Sequence, residues 1–237
     1  MLTGTTTHPL LVAEMFGPTF QGEGPSCGQQ ALFVRLSRCN LACPGCDTPY
    51  TWDTTRYDLR EHTTPLASEQ VIDWVLAHPT RLIVISGGEP LLQQERLLPL
   101  VRTLAGLGRR IEIETNGTLI PAGELLRLVS AFNVSPKLEA FAAPSDAARR
   151  LNPAALRTLA ACGKAVFKFV VTGLDDLEEI GRLQGEYGLD PVWVMPEGTS
   201  SQTILTRSRL LAEEVLARGW NLTSRQHVLL WEDTRGR

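Results

Sequence analysis

Three thiols fall within eight residues, as Cys39-x3-Cys43-x2-Cys46, in a loop that also carries Pro44 and Gly45. Cys27 and Cys162 stand apart, and five cysteines in a chain with no visible secretory signal do not describe a disulfide framework. Thiols clustered in this way serve as metal ligands or redox groups. Structural zinc sites are closed by four protein ligands, often as two separated pairs. Here no fourth cysteine is nearby, and His8, His62, His78 and His227 lie at no zinc-finger spacing. Iron–sulfur clusters take thiolates, commonly four. Three thiolates on a four-iron cluster leave one iron open to a substrate or cofactor, which suits chemistry better than scaffolding.

Those thiols need a framework to hold them. The chain has 237 residues, 43% hydrophobic and 21% charged, with a formal net charge of −3. A chain of that length buries most of its apolar surface without cross-links. One domain over 1–237 is expected, with Met1 to about Pro9 as a flexible N-terminus and a cytoplasmic location. No apolar run approaches the ~20 residues that span a bilayer, and a near-neutral chain offers no basic duplex-binding surface. Neither membrane nor direct nucleic-acid binding is expected. Lysine is scarce, with only Lys137, Lys164 and Lys168, so each is a candidate for a specific task.

Short apolar runs alternate with amphipathic stretches, the pattern of an α/β protein. Strands are expected over 31–36, 82–85, 110–114, 131–134, 165–171, 191–195 and 228–230. Ser68 can cap a helix bearing Val71, Ile72, Val75 and Leu76. A second helix groups Leu97, Leu98, Val101 and Leu104 and stops near Gly106 and Gly108, and later ones cover 156–159, 177–183 and 210–216. Near-continuous apolar strands between helices imply a parallel sheet covered on both faces or curled into a barrel. In either arrangement functional residues gather where strands end. Cys39 follows the first core strand, Ser86-Gly87-Gly88-Glu89-Pro90 the second, Thr115-Asn116-Gly117 the third and Ser135-Pro136-Lys137 the fourth. Met195-Pro196-Glu197-Gly198 ends a later one. Polar, glycine-rich tips on one edge of a sheet point to a single shared site, although ordinary turn chemistry explains any one of them alone.

The cysteine triad followed by Gly-Gly-Glu-Pro at the next strand end resembles the radical S-adenosylmethionine superfamily. The resemblance implies that S-adenosylmethionine chelates the open iron, and that an electron from the reduced 4Fe-4S cluster cleaves it to a 5′-deoxyadenosyl radical. Three more segments narrow it: Glu14-Met15-Phe16-Gly17-Pro18-Thr19-Phe20-Gln21-Gly22-Glu23-Gly24, Cys46-Asp47-Thr48, and His227-Val228-Leu229-Leu230-Trp231. With Arg35 four residues before the first cluster cysteine, they resemble the 7-carboxy-7-deazaguanine synthase family from about Val12 to the C-terminus. That family rearranges 6-carboxy-5,6,7,8-tetrahydropterin to 7-carboxy-7-deazaguanine with loss of ammonia, on the route to queuosine and other deazapurines. The implied fold is an α/β, incomplete, modified (β/α) barrel, and the implied assembly a homodimer served by a reductant such as flavodoxin or ferredoxin.

Residue by residue, the resemblance implies that Cys39, Cys43 and Cys46 hold the cluster and that Thr48 binds Mg2+. Gly88, Ser135, Pro136 and Lys137, and a more divergent string of Val194, Met195, Pro196 and Glu197, would contact S-adenosylmethionine; at Gly88 a side chain would obstruct the approach. Phe20, Gln21, Gly22 and Ser86 would touch the pterin, and Arg35 would clamp its carboxylate in bidentate fashion. The alternatives are specific too. Arg35 can pair with a structural acid, and Thr48 can cap the turn at Pro49. His227 and Trp231 can be packing residues, and Cys162 a buried apolar side chain. Cys27, Glu112 and Glu114 carry no assignment. Gly45 stands where many superfamily members place an aromatic residue beside the adenine, which leaves Tyr50 or Trp52 to compensate. A glycyl-radical activating enzyme, acting on a protein partner, shares the triad and Gly-Gly-Glu-Pro; Gln21-Gly22-Glu23-Gly24 and Cys46-Asp47-Thr48 favour the small-molecule enzyme. A non-catalytic metal-binding or tRNA-interacting module would call for closed metal coordination or a basic surface.

Overall fold

The apolar runs pair as one nine-stranded sheet in the computed structural model, which describes residues 8–237. Met1 to Thr7 lie outside the described residues, so of the expected flexible N-terminus only His8 and Pro9 are described. In chain order the strands are β1 (Leu10–Phe20), β2 (Gln30–Leu36), β3 (Thr64–Leu66), β4 (Leu82–Gly87), β5 (Arg110–Thr115), β6 (Ala131–Val134), β7 (Ala165–Val171), β8 (Val192–Pro196) and β9 (Asn221–Leu222). Their order across the sheet is β3-β1-β2-β4-β5-β6-β7-β8-β9. From β2 onward every neighbour is parallel; β1 runs antiparallel to β2, and β3 antiparallel to β1. The sheet is open, with β3 and β9 as its edges, and it curls into the partial (β/α) barrel that the resemblance implies.

The α-helices are α1 (Ser68–Leu76), α2 (Gln94–Gly106), α3 (Gly123–Leu128), α4 (Pro153–Ala161), α5 (Asp176–Tyr187), α6 (Ser201–Ala217) and α7 (Gln226–Trp231). They bury their apolar stripes against one face of the sheet: Leu97, Leu100, Val101 and Leu104 of α2 share a core with Ile111 and Ile113 of β5 and Ile83 and Ile85 of β4. The alternate residues of β5, Glu112 and Glu114, therefore point to the other, concave face. Parallel strands put their C-terminal tips on one edge, and the five polar strings read from the sequence all lie there. Scarce lysine finds a structural use at Lys164, whose ammonium donates to the carbonyls of Leu126, Arg127 and Val129 at 2.9, 2.7 and 2.9 Å. Those are end carbonyls of α3, where a cation is favoured.

Several elements differ from the sequence reading. Residues 228–230 form part of α7 rather than a strand, because only Val228 of that run is buried while Leu230 is 51% exposed. β1, the longest strand, was not anticipated from periodicity. Two irregularities in its pairing, between Val12 and Glu14 and between Phe16 and Thr19, break its alternation. The N-cap of α1 is Ala67, not Ser68, and its N–H is satisfied by Gln70 Oε1 at 2.9 Å. In α6 the inward face is Ile204, Leu211 and Val215, leaving Leu210 and Leu216 exposed.

Candidate active site

The strand tips enclose one cavity of about 630 Å3, within the range of small-molecule sites. Cys39, Cys43 and Cys46 line one wall of it, all three free thiols. Polar anchors place their loop. The Ala42 N–H donates to buried Asp146 at 2.5 Å, and Asn40 bridges Thr118 (2.8 Å) and Asn116 (2.9 Å). Just before Cys39, Arg38 has φ +80°, a region few side-chain-bearing residues adopt. Its backbone is held there on both sides, the N–H donating to Thr51 O at 2.7 Å and the carbonyl accepting from Glu89 N at 2.8 Å. Burial pushes the Cys39 thiol up to about 12 and raises Cys43 as well.

Glu89 and Gly88 of the Gly-Gly-Glu-Pro string act mainly on this loop. Glu89 is fully buried and accepts from Leu91 N, Thr115 Oγ1 and Asn116 N at 2.7–3.0 Å, tying the tips of β4 and β5 together. A Cβ on Gly88 would stand 2.1 Å from the Arg38 carbonyl and 2.9 Å from Cys39 Cβ. Gly88 lines the cavity as expected, but its lack of a side chain is already required by the approach of the cysteine loop.

Ser135, Pro136 and Lys137 line the cavity at the tip of β6. Lys137 Nζ donates to Ser135 Oγ at 2.9 Å, and its carbonyl accepts from Arg150 at 2.8 Å. At the tip of β8, Met195 and Glu197 line the cavity; Val194 and Pro196 do not, and Val194 is in the hydrophobic core. The Glu197 carboxylate is held by Arg207. Thr48 lines the cavity and is the N-cap of the turn Pro49–Thr51, yet its side chain makes no capping bond; its hydroxyl lies 3.7 Å from Cys46 Sγ. At Gly45 a Cβ would lie 3.7 Å from the Phe141 ring, which also lines the cavity.

A network of charges lines the rest of the cavity. Arg35 Nε donates to Glu14 at 2.7 Å, so the acid partner considered for it exists, while Nη1 reaches Ser86 Oγ at 3.4 Å. The same Glu14 accepts from the Tyr50 hydroxyl (2.6 Å) and Arg235 (2.8 Å). Burial alone would raise the Glu14 carboxyl, but these donors outweigh it and hold it below the usual range. Further round, Glu23 pairs with Lys168 and, at 3.2 Å, with Arg225, which also reaches Asp47 at 2.5 Å. There too burial is outweighed, and the Glu23 carboxyl is well below the usual range. Gln21 Nε2 donates to Glu114 at 3.1 Å, fixing that amide. The loop carrying Gln21 to Glu23 is pinned underneath by Ser26, whose hydroxyl donates to buried Glu112 at 2.5 Å. His227 packs so tightly on Gly22 that a Cβ there would stand 2.0 Å from its Nδ1. Burial pushes its imidazole below the usual range. Phe20 is 41% exposed at the rim and stacks with Trp231 at 6.2 Å.

The cavity thus unites all the sequence-derived site residues except Val194 and Pro196. It adds Glu23, Glu114, Lys168, Arg225 and His227, with Glu14 paired to the lining Arg35; Lys168 stands out in the sequence by scarcity, and Glu23 and His227 fall within motif segments, without a settled role. A model of the radical SAM superfamily matches residues 34–182. The chain is 34% identical over 234 residues to the 7-carboxy-7-deazaguanine synthase of Hyperthermus butylicus, covering 96% of this chain and 95% of that one. It is 34% identical to that of Pyrobaculum aerophilum, covering 98% and 100%. The chain belongs to the 7-carboxy-7-deazaguanine synthase family of the radical SAM superfamily. The crystal structure of QueE from Escherichia coli superposes with a TM-score of 0.69 at 27% identity, covering 92% of this chain and 95% of that one. Streptococcus suis SuiB bound to S-adenosylmethionine, at 14% identity and a TM-score of 0.55 over 81% of this chain and 49% of that one, shares the fold.

Membership implies S-adenosylmethionine and an iron–sulfur cluster, and the donor set fits them. Among the described residues no three His, Cys, Asp or Glu side chains converge on a single metal ion. Three thiols spread along one wall suit a cluster instead, in which each thiolate binds a different iron. Thiols raised by burial ionise when a metal supplies positive charge, since a coordinating thiol is deprotonated outright.

Proposed function

We propose that the chain converts 6-carboxy-5,6,7,8-tetrahydropterin to 7-carboxy-7-deazaguanine with loss of ammonia, for queuosine or another deazapurine. The observation that carries this reading is a single cavity lined by the three thiols together with Arg35, Ser86, Gln21 and Gly22. Cluster and S-adenosylmethionine, when bound, supply a 5′-deoxyadenosyl radical. The chain's own residues do the rest. Arg35 spends Nε on Glu14 and keeps its guanidinium edge for the substrate carboxylate. The Gln21 amide, fixed by Glu114, and the Gly22 backbone meet the pterin ring, with Phe20 covering its face. Lys137 and Ser135, with Gly88, hold the polar end of S-adenosylmethionine. Glu23, Lys168 and Arg225, paired with one another along the cavity, leave about 630 Å3 for a small molecule, which favours this reading over a glycyl-radical activating enzyme threading a protein segment.

Mg2+, a hard cation that retains waters and needs few protein oxygens, suits the uncapped Thr48 hydroxyl. Thr48→Val should abolish most Mg2+ stimulation of turnover while sparing the cluster; equal stimulation in both proteins would return Thr48 to the turn. A homodimer in the cytoplasm, one domain throughout, and a flavodoxin or ferredoxin donor complete the proposal; no helix among the described residues is long and apolar enough to cross a membrane. The test is anaerobic reconstitution with S-adenosylmethionine, reductant and the tetrahydropterin acid. A deazapurine and ammonia are expected. Deoxyadenosine without a deazapurine would keep the superfamily and reject the substrate.

A further inference from the structure

The three cluster thiols are not hydrogen-bonded alike. Trp52 follows Cys46 by six residues, and its indole Nε1–H donates to Cys46 Sγ at 3.3 Å. Indole nitrogen is a donor only, and among the described residues nothing else accepts from it. Its position is set by the turn between them: Thr51 N donates to Thr48 O, and Trp52 N to Pro49 O, both at 3.0 Å. Cys39 Sγ receives only longer contacts, from Leu41 N at 3.5 Å and Asn116 Nδ2 at 4.0 Å. Cys46 Sγ, which also lies 3.7 Å from the Thr48 hydroxyl, therefore has the shortest side-chain donor of the three.

A donor aimed at a ligating sulfur withdraws electron density from it and favours the more negative, reduced form of the cluster. We propose that Trp52 is a positioning residue for Cys46, and that its N–H raises the reduction potential of the cluster. The electron comes from an external one-electron reductant and passes to the oxidised cluster; no covalent bond changes in that step. The proposal rests on the cluster assignment and not on the identity of the pterin, so failure of the substrate reading would leave it standing.

The test is an EPR-monitored potentiometric titration of Trp52→Phe against the natural protein, both reconstituted to equal iron and sulfide and without S-adenosylmethionine. The expected result is a more negative midpoint in the variant, by up to a tenfold change in the reduction equilibrium, about 59 mV for one electron. An unchanged midpoint at full iron content would overturn the proposal. A second measurement does not depend on the variant loading iron. Natural protein grown with tryptophan carrying 15N in the indole ring should show 15N hyperfine coupling to the reduced cluster. Trp52 is the only tryptophan that lines the cavity, so the signal reports on it. Absence of that coupling would equally overturn the proposal.

Discussion

The two walls of the cavity are electrostatic opposites. The cysteine wall presents three thiols, of which burial raises Cys39 and Cys43, on a loop anchored by amides and backbone groups. The charged wall presents Arg35, Glu23, Lys168 and Arg225, already paired as ions with one another or, for Arg35, with Glu14. The first wall acquires charge by taking up iron; the second holds its charge before anything binds. A radical enzyme gains from both arrangements, since the metal wall must ionise its ligands on loading while the substrate wall must keep its shape.

The largest effect is expected on the metal side. Replacing Cys39, Cys43 or Cys46 by Ala should abolish four-iron loading, measured as iron and sulfide per chain, because two thiolates cannot hold the cluster in place. Cys27→Ser and Cys162→Ser should load normally. Iron loss confined to the Cys27 variant would reverse the ligand assignment.

On the charged side the loss is in stability. Arg225→Ala leaves Glu23 and Asp47 short of a partner, and removing one member of a buried pair costs ~3–5 kcal/mol. A denaturation midpoint should show most of that loss, reduced to the extent that Lys168 still faces Glu23. A change below about 1 kcal/mol would mean that the network is solvated and not built into the wall.

Arg35→Lys should have the smallest of these effects and the sharpest meaning. A lysine cannot hold Glu14 and still present a two-donor edge, so pterin affinity should fall by roughly 1–3 kcal/mol. Affinity for S-adenosylmethionine should stay the same. Equal losses for both ligands in an anaerobic titration would show that Arg35 supports the wall as a whole.

These residues differ in how visible they are in the sequence. The cysteine wall is legible because its ligands are close in sequence and only a few chemistries suit three thiols at that spacing. The strand tips are legible because parallel strands bring them to one edge. The charged wall is not: Glu23 meets Lys168 and Arg225 across 145 and 202 residues, and nothing local marks such pairs. Glu112 and Glu114 alternate with apolar residues and read as half-exposed, yet both face the concave side and anchor the loop that carries Gln21 and Ser26. Residues 228–230 look like a strand because three apolar residues in a row fit either structure; one-sided burial made them a helix. At Gly88 the need for a missing side chain comes first from the approach of Arg38 to the β4 tip, which appears only in three dimensions.

Whether the cysteines and the charged residues serve one reaction in one cavity is read with a tetrahydropterin substrate carrying deuterium on its ring carbons, by mass analysis of the deoxyadenosine released during turnover. Deuterium in that deoxyadenosine is the predicted result, since Arg35, proposed to hold the substrate, and the three cysteines line the same cavity. Deoxyadenosine free of deuterium, at saturating substrate and with deazapurine forming, would contradict the account.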